Sequence, residues 1–266
     1  MRFDIDTYQA HSGRITWDDL DFSVFREQPL SPAGLRCLRY MHDIEFHTVC
    51  YLRDLLVTRA HDDHRVTTFL TIWNFEELYH GEALAAVLAA HDEDGGSARV
   101  EPLRKRLGWR QPVGTLASML GSLAMPDFTA VHMMWGAVNE WTAQAAYGRL
   151  ASREANPVLS ALLKRIMRQE GRHVDFYASE AHRRLEGNRH AQRITRVALR
   201  RFWRPVGSGV APPADVRFMT THLFGDDDGR AVVERIDRRI HRLPGLDGLD
   251  LVSRARAVHL REAAAA

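Results

Sequence analysis

Two copies of one short pattern carry the most chemistry. Glu77-Leu-Tyr-His80 and Glu170-Gly-Arg-His173 each set a carboxylate and an imidazole three residues apart. On a helix, positions i and i+3 share a face, so both side chains can reach one ion. Spacing alone is weak evidence, because a chain with 14 histidines holds about 0.7 such pairs by chance. The surroundings are more telling. Around Glu77, at helical spacing, stand Leu70, Trp73 and Leu84; around Glu170 stand Leu163, Ile166, Met167, Val174 and Tyr177. A surface glutamate would have polar neighbours at those positions.

Two lone glutamates share this abnormality. Glu45 is flanked by Leu38, Met41, Val49 and Leu52, and Glu140 by Met133, Gly136, Ala137, Ala143 and Tyr147. Glu45 precedes Glu77, and Glu140 precedes Glu170, by nearly the same interval. Four carboxylates in one core would cost several kcal/mol each if left unpaired, and two divalent cations neutralise them in full. Mixed carboxylate and imidazole ligands suit iron or manganese better than zinc, whose structural sites prefer thiolates. The expected ligands are therefore Glu45, Glu77, His80, Glu140, Glu170 and His173, around two iron ions (Fe2+/Fe3+), with manganese an acceptable occupant of one site. Glu45 and Glu140 would be terminal or bridging. Glu76 and Gln169, each just before a motif glutamate, could accept hydrogen bonds from ligand histidines on facing helices.

These residues need long helices to hold them. Ser31-Pro32 is a helix start, and a helical pattern runs on to about residue 59. Asp62 or Asp63 can cap a second helix that stops before Gly95-Gly96. A third follows Pro126 to about residue 154, and Asn156-Pro157 opens a fourth that ends at Gly187-Asn188. Between the pairs lies a long connection with a short helix near 114–122. Residues 1–30 read as an irregular arm and residues 188–266 as a C-terminal extension of shorter helices packed on the bundle. Short links within each pair and one long link between them describe an all-α four-helix bundle with one crossover over residues 31–187.

The bulk properties fit a globular chain: 266 residues, 45% hydrophobic and 26% charged. A net charge of +2 gives no argument for nucleic acid. An arginine run from Arg183 to Arg204 reads as a solvated face or a docking surface for an acidic partner. Cys37 and Cys50 are too far apart along one helix to pair, which favours a reducing, cytoplasmic setting. The N-terminus lacks the marks of a signal peptide, and no apolar run reaches the ~20 residues of a membrane span.

The ligand order is that of ferritin-like di-iron bundles, and within these the chain resembles the soluble acyl-ACP desaturases. WNFEELYHGEAL is similar to their EENRHG segment, and RQEGRHVDFY to their DEKRH segment. The resemblance covers residues 31–186. It implies a di-iron oxidoreductase that uses O2 to desaturate an acyl chain carried on acyl carrier protein or a related thioester. It also implies a ferredoxin-type electron donor and allows a homodimer. Three positions depart from the pattern: Ala143 stands where relatives carry threonine, Tyr79 replaces an arginine and Gln169 an aspartate. A di-iron hydroxylase or N-oxygenase of a biosynthetic pathway is a second expectation, and a ferritin-like ferroxidase without organic substrate a third. An apolar tunnel from the metal site would favour the first two.

Overall fold

A computed structural model describes residues 3–108 and 110–265. In chain order the helices are α1 (Ile5–His11), α2 (Val24–Glu27), α3 (Pro32–Glu45), α4 (Thr48–Leu56), α5 (His64–Ala89), α6 (Ser97–Leu107), α7 (Arg110–Ala124), α8 (Phe128–Glu154), α9 (Pro157–Leu185), α10 (Arg189–Phe202), α11 (Pro213–Phe224), α12 (Asp227–His241) and α13 (Leu251–Ala264). There are no strands among the described residues, and the fold is an all-α helical bundle.

The long helices start where their caps dictate. The Ser31 hydroxyl accepts from Gly34 N with Pro32 at the first helical position, the Asp63 carboxylate accepts from Arg65 N and Val66 N, and the Asn156 side chain accepts from Val158 N and Leu159 N. Helices α3, α5, α9 and α8 pack in a ring, each touching the next. Their inward faces form one continuous core that includes Leu38, Phe69, Leu84, Met133, Ile166 and Phe176. Helix α5 buries apolar side chains around much of its circumference, because α1, α3, α4 and α9 all pack on it. Helices α10, α11 and α12 lie against α8, and α13 packs on α11 and α12.

Three expectations need correction. The helix expected from Pro32 to about residue 59 breaks after Glu45. The Thr48 hydroxyl takes the Glu45 carbonyl at 2.6 Å, competing with the helical ladder, and α4 begins at Thr48. The arm at residues 1–30 contains α1 and α2, the first of them capped by Asp4. The crossover contains two helices, α6 and α7, where one near 114–122 was expected.

Candidate metal centre

Glu45 ends α3, Glu77 and His80 sit mid-way along α5, Glu140 lies on α8, and Glu170 and His173 on α9. All six are buried. Their ligand atoms form two groups, Glu45–Glu77–His80–Glu170 and Glu77–Glu140–Glu170–His173, with atoms inside each group within 4.8 Å of one another. Glu77 and Glu170 belong to both groups. This ordering sharpens the sequence reading: the motif glutamates are the shared pair, and Glu45 and Glu140 each serve one side.

The two histidines point the same way. His80 Nε2 meets Gln169 Oε1 at 2.9 Å, and His173 Nε2 meets Glu76 Oε2 at 2.8 Å. Each ring therefore donates from Nε2 to a fixed acceptor and turns Nδ1 into the cluster. His80 Nδ1 lies 3.3 Å from Glu170 and 3.4 Å from Glu77, and His173 Nδ1 lies 3.1 Å from Glu77 and 3.4 Å from Glu170. Both Nδ1 atoms and Glu170 Oε2 are buried without a hydrogen-bond partner. Orphaned acceptors of this kind are rare in a native core, and here they converge on the two groups of carboxylates. Ligands on an ion with bonds of ~2.1 Å sit about 3 Å apart when adjacent, so these spacings fit divalent cations. The donors are oxygen and imidazole nitrogen without thiolate, a set that divalent transition metals accept.

A wider set of side chains holds the ligands in place. Trp73 Nε1 donates to Glu140 at 3.0 Å, and the Tyr147 hydroxyl donates to Glu45. Glu76 also accepts from the Tyr8 hydroxyl, Arg172 and the Gln169 amide, and Gln169 donates to the Gly13 carbonyl at 2.6 Å. Glu76 and Gln169 thus do what their positions beside the motifs suggested. Tyr8, Trp73, Tyr147 and Arg172 were not assigned this role from sequence. Trp73 and Tyr147 were read as apolar flanks, and nothing in a linear pattern shows which aromatic polar tip turns inward.

Protonation reflects the crowding. Burial lifts Glu45 and Glu140 well above the usual carboxylate range, and the charges on Glu77 and Glu170 push the same way. Burial also opposes charge on Glu77, but the adjacent Glu45, His173 and His80 outweigh it and hold the group low. Glu170 is lowered by His173 and His80 against burial and the charge of Glu77. Burial disfavours the imidazolium form of His80, yet the facing carboxylates of Glu170 and Glu77 raise it to about 9, and His173 is raised likewise. The shifts run in opposite directions among neighbouring groups, so that charge is spread unevenly over the buried cluster.

Several further side chains have structural partners. His42 bridges Asp43 and Gly96 N. Gly81 and Gly136 leave room for the rings of Phe46 and Tyr177. Within the arginine run, Arg183 and Arg184 pair with Glu180 and Asp63, and Arg196 binds the carbonyls of Gly245 and Asp247. Arg189, Arg193, Arg200 and Arg201 stay exposed. Cys37 and Cys50 are both free thiols, and no helix among the described residues is long and apolar enough to cross a membrane.

A cavity of about 460 Å³ reaches the centre. Glu45, Glu77, Glu140 and Glu170 form its floor, Tyr51, Trp73 and Trp135 line it, and the 205–210 loop closes one side. A smaller cavity of about 70 Å³ adjoins it, sharing Ile44, Glu45, Ala143, Pro205 and Val206. In comparisons with known proteins, no family, curated protein or solved structure matches the chain.

Proposed function

We propose that this chain is an O2-dependent, non-haem di-iron oxidoreductase that oxidises an organic substrate, with desaturation of an acyl chain on acyl carrier protein as its preferred reaction. One observation carries the reading: a cavity within the ~300–1,000 Å³ range of small-molecule sites has four of the six candidate ligands as its floor. A ferroxidase has no use for such a chamber. Glu45, Glu77, His80, Glu140, Glu170 and His173 would hold the ions, and the iron pair, when bound, supplies reductive activation of O2 and removal of hydrogen from an unactivated carbon.

The chain's own residues supply the setting. Trp73, Tyr51 and Trp135 give the substrate an apolar wall that keeps water from the floor. Trp73 and Tyr147 fix the orientations of Glu140 and Glu45. Desaturation converts two adjacent CH2 groups and O2, with two electrons and two protons, into a double bond and two waters. The electrons require an external donor of the ferredoxin class. Thr48, Asn139 and Arg204 give part of the cavity a polar lining, which supports a hydroxylase or N-oxygenase as the second reading.

The test is anaerobic iron titration of the apoprotein, then O2 with a reducing system and a test acyl-ACP. Two irons per chain and a product lighter by two hydrogens is the expected result. Two irons with an oxygenated product selects the second reading. Failure to bind two irons overturns both.

A further inference from the structure

Helix α7 is built inside out. Its polar face is turned to the protein: the Thr115 hydroxyl donates to Asp54 at 2.5 Å, and the buried Ser122 hydroxyl accepts from Arg59 N at 2.9 Å. Gly121 lies on the same side, with no room for a Cβ beside the Phe128 ring. The opposite face carries Val113, Leu116, Leu120 and Leu123, which are 52–65% exposed, with Met119 at its edge. An amphipathic helix normally buries its apolar stripe, and a contiguous exposed stripe marks a surface for another apolar body.

The charge around the stripe identifies that body. Lys105 and Arg106 are exposed at the end of α6, immediately before α7. Residues 102–126 contain no aspartate or glutamate. A basic segment leading into an exposed apolar helical face is the pattern of a helix lying in the interface of an anionic bilayer. A second copy of the chain fits less well. The stripe's five half-exposed side chains offer less than the ~800 Å² per partner of a stable interface.

The position of α7 supplies the consequence. Gly114 of α7 and Leu107 of α6 line the cavity that ends on Glu45, Glu77, Glu140 and Glu170. We propose that α7 is a membrane-surface contact that seats the cavity mouth against an anionic lipid bilayer, where an acyl chain can pass between lipid and cavity. The contact is a property of the surface and does not depend on which oxidation the metal centre performs.

The 266-residue chain is mixed with vesicles of phosphatidylcholine alone or with phosphatidylglycerol, and binding is read by flotation. Binding to the anionic vesicles is expected, at least tenfold weaker in the Leu116→Ser/Leu120→Ser/Leu123→Ser variant and several-fold weaker in Lys105→Gln/Arg106→Gln. Thermal midpoint and iron content should not change in either variant, which separates failure of this contact from failure of the metal centre. No binding to either vesicle, or binding that the serine variant retains, overturns the proposal. So does a dimer by light scattering that the serine variant converts to monomer without any vesicle binding, which would give the stripe to a second copy.

Discussion

Tyr8, in the N-terminal arm, donates its hydroxyl to Glu76 Oε2 at 2.9 Å, and that oxygen also meets His173 Nε2 at 2.8 Å. The arm thus reaches His173 through the Tyr8 hydroxyl, and reaches His80 by a separate route, the Gly13 carbonyl that takes the Gln169 amide at 2.6 Å. Partners of ligand histidines change metal affinity about 10–100-fold when removed. Tyr8→Phe should therefore weaken one of two bound cations by about tenfold and leave the other nearly unchanged. Stepwise titration with cobalt, read optically, resolves the two events. Equal weakening of both would show that the arm acts through the whole bundle.

Glu77 and Glu170 belong to both ligand groups, whereas Glu45 belongs to one. Glu77→Ala should abolish binding of both ions, and Glu45→Ala should leave one. Metal analysis of dialysed protein counts them directly. If Glu45→Ala also binds none, the two sites fill only together.

The pH dependence has a definite sign. His80 is raised to about 9 in the folded apoprotein, against ~6.5 in an unfolded chain. A raised histidine stabilises below ~6.5, and that contribution is lost as pH climbs through 9. Glu45 and Glu140, also raised, act in the same direction. His47 and His132, lowered to about 4, have finished titrating below this window. Apoprotein stability should fall between pH 6.5 and 9 by a few kcal/mol. Loading divalent cations at pH 7 should release protons, because a bound cation competes with protons on the raised imidazole and carboxyl groups. Calorimetry in buffers of different ionisation enthalpy counts them.

The six-residue cluster was legible because buried glutamates violate the apolar rule of their own helix faces. Asp63 and Asn156 declared two of the long helices by capping chemistry that operates over three residues. What stayed hidden depends on tertiary partners. The break after Glu45 arises where a Thr48 hydroxyl competes for a backbone carbonyl, and Thr at that position is equally at home inside a helix. The roles of Trp73 and Tyr147 depend on Glu140 and Glu45, which lie on other helices. Helix α7 is amphipathic on either reading, and only packing reveals that its apolar face looks outward.

Two glycines of α8 should answer oppositely to alanine. A Cβ at Gly136 would lie 2.4 Å from the Tyr177 ring, which is fully buried and has nowhere to move. Overpacking of this kind costs about 1–3 kcal/mol. At Gly148 a Cβ would sit 3.6 Å from Met167 Sδ, an ordinary contact. There the gain in helix propensity should stabilise by about 0.5–1 kcal/mol. Urea denaturation of Gly136→Ala and Gly148→Ala measures both; destabilisation of the same size at both positions would refute the packing account.

Ala143 lines both cavities, between the ligand Glu45 and the 205–206 loop. A phenylalanine there would fill the passage between the two chambers without replacing any ligand. Ala143→Phe should retain two metal ions per chain and continue to consume O2 when reduced, because the carboxylates and histidines are unchanged. It should form organic product at least tenfold more slowly, because the chain can no longer lie along the floor. Metal content, O2 uptake and product mass measured on one preparation distinguish these effects. Unchanged product formation would mean that the substrate reaches the centre by another route, and the assignment of this cavity would fall while the metal centre stood.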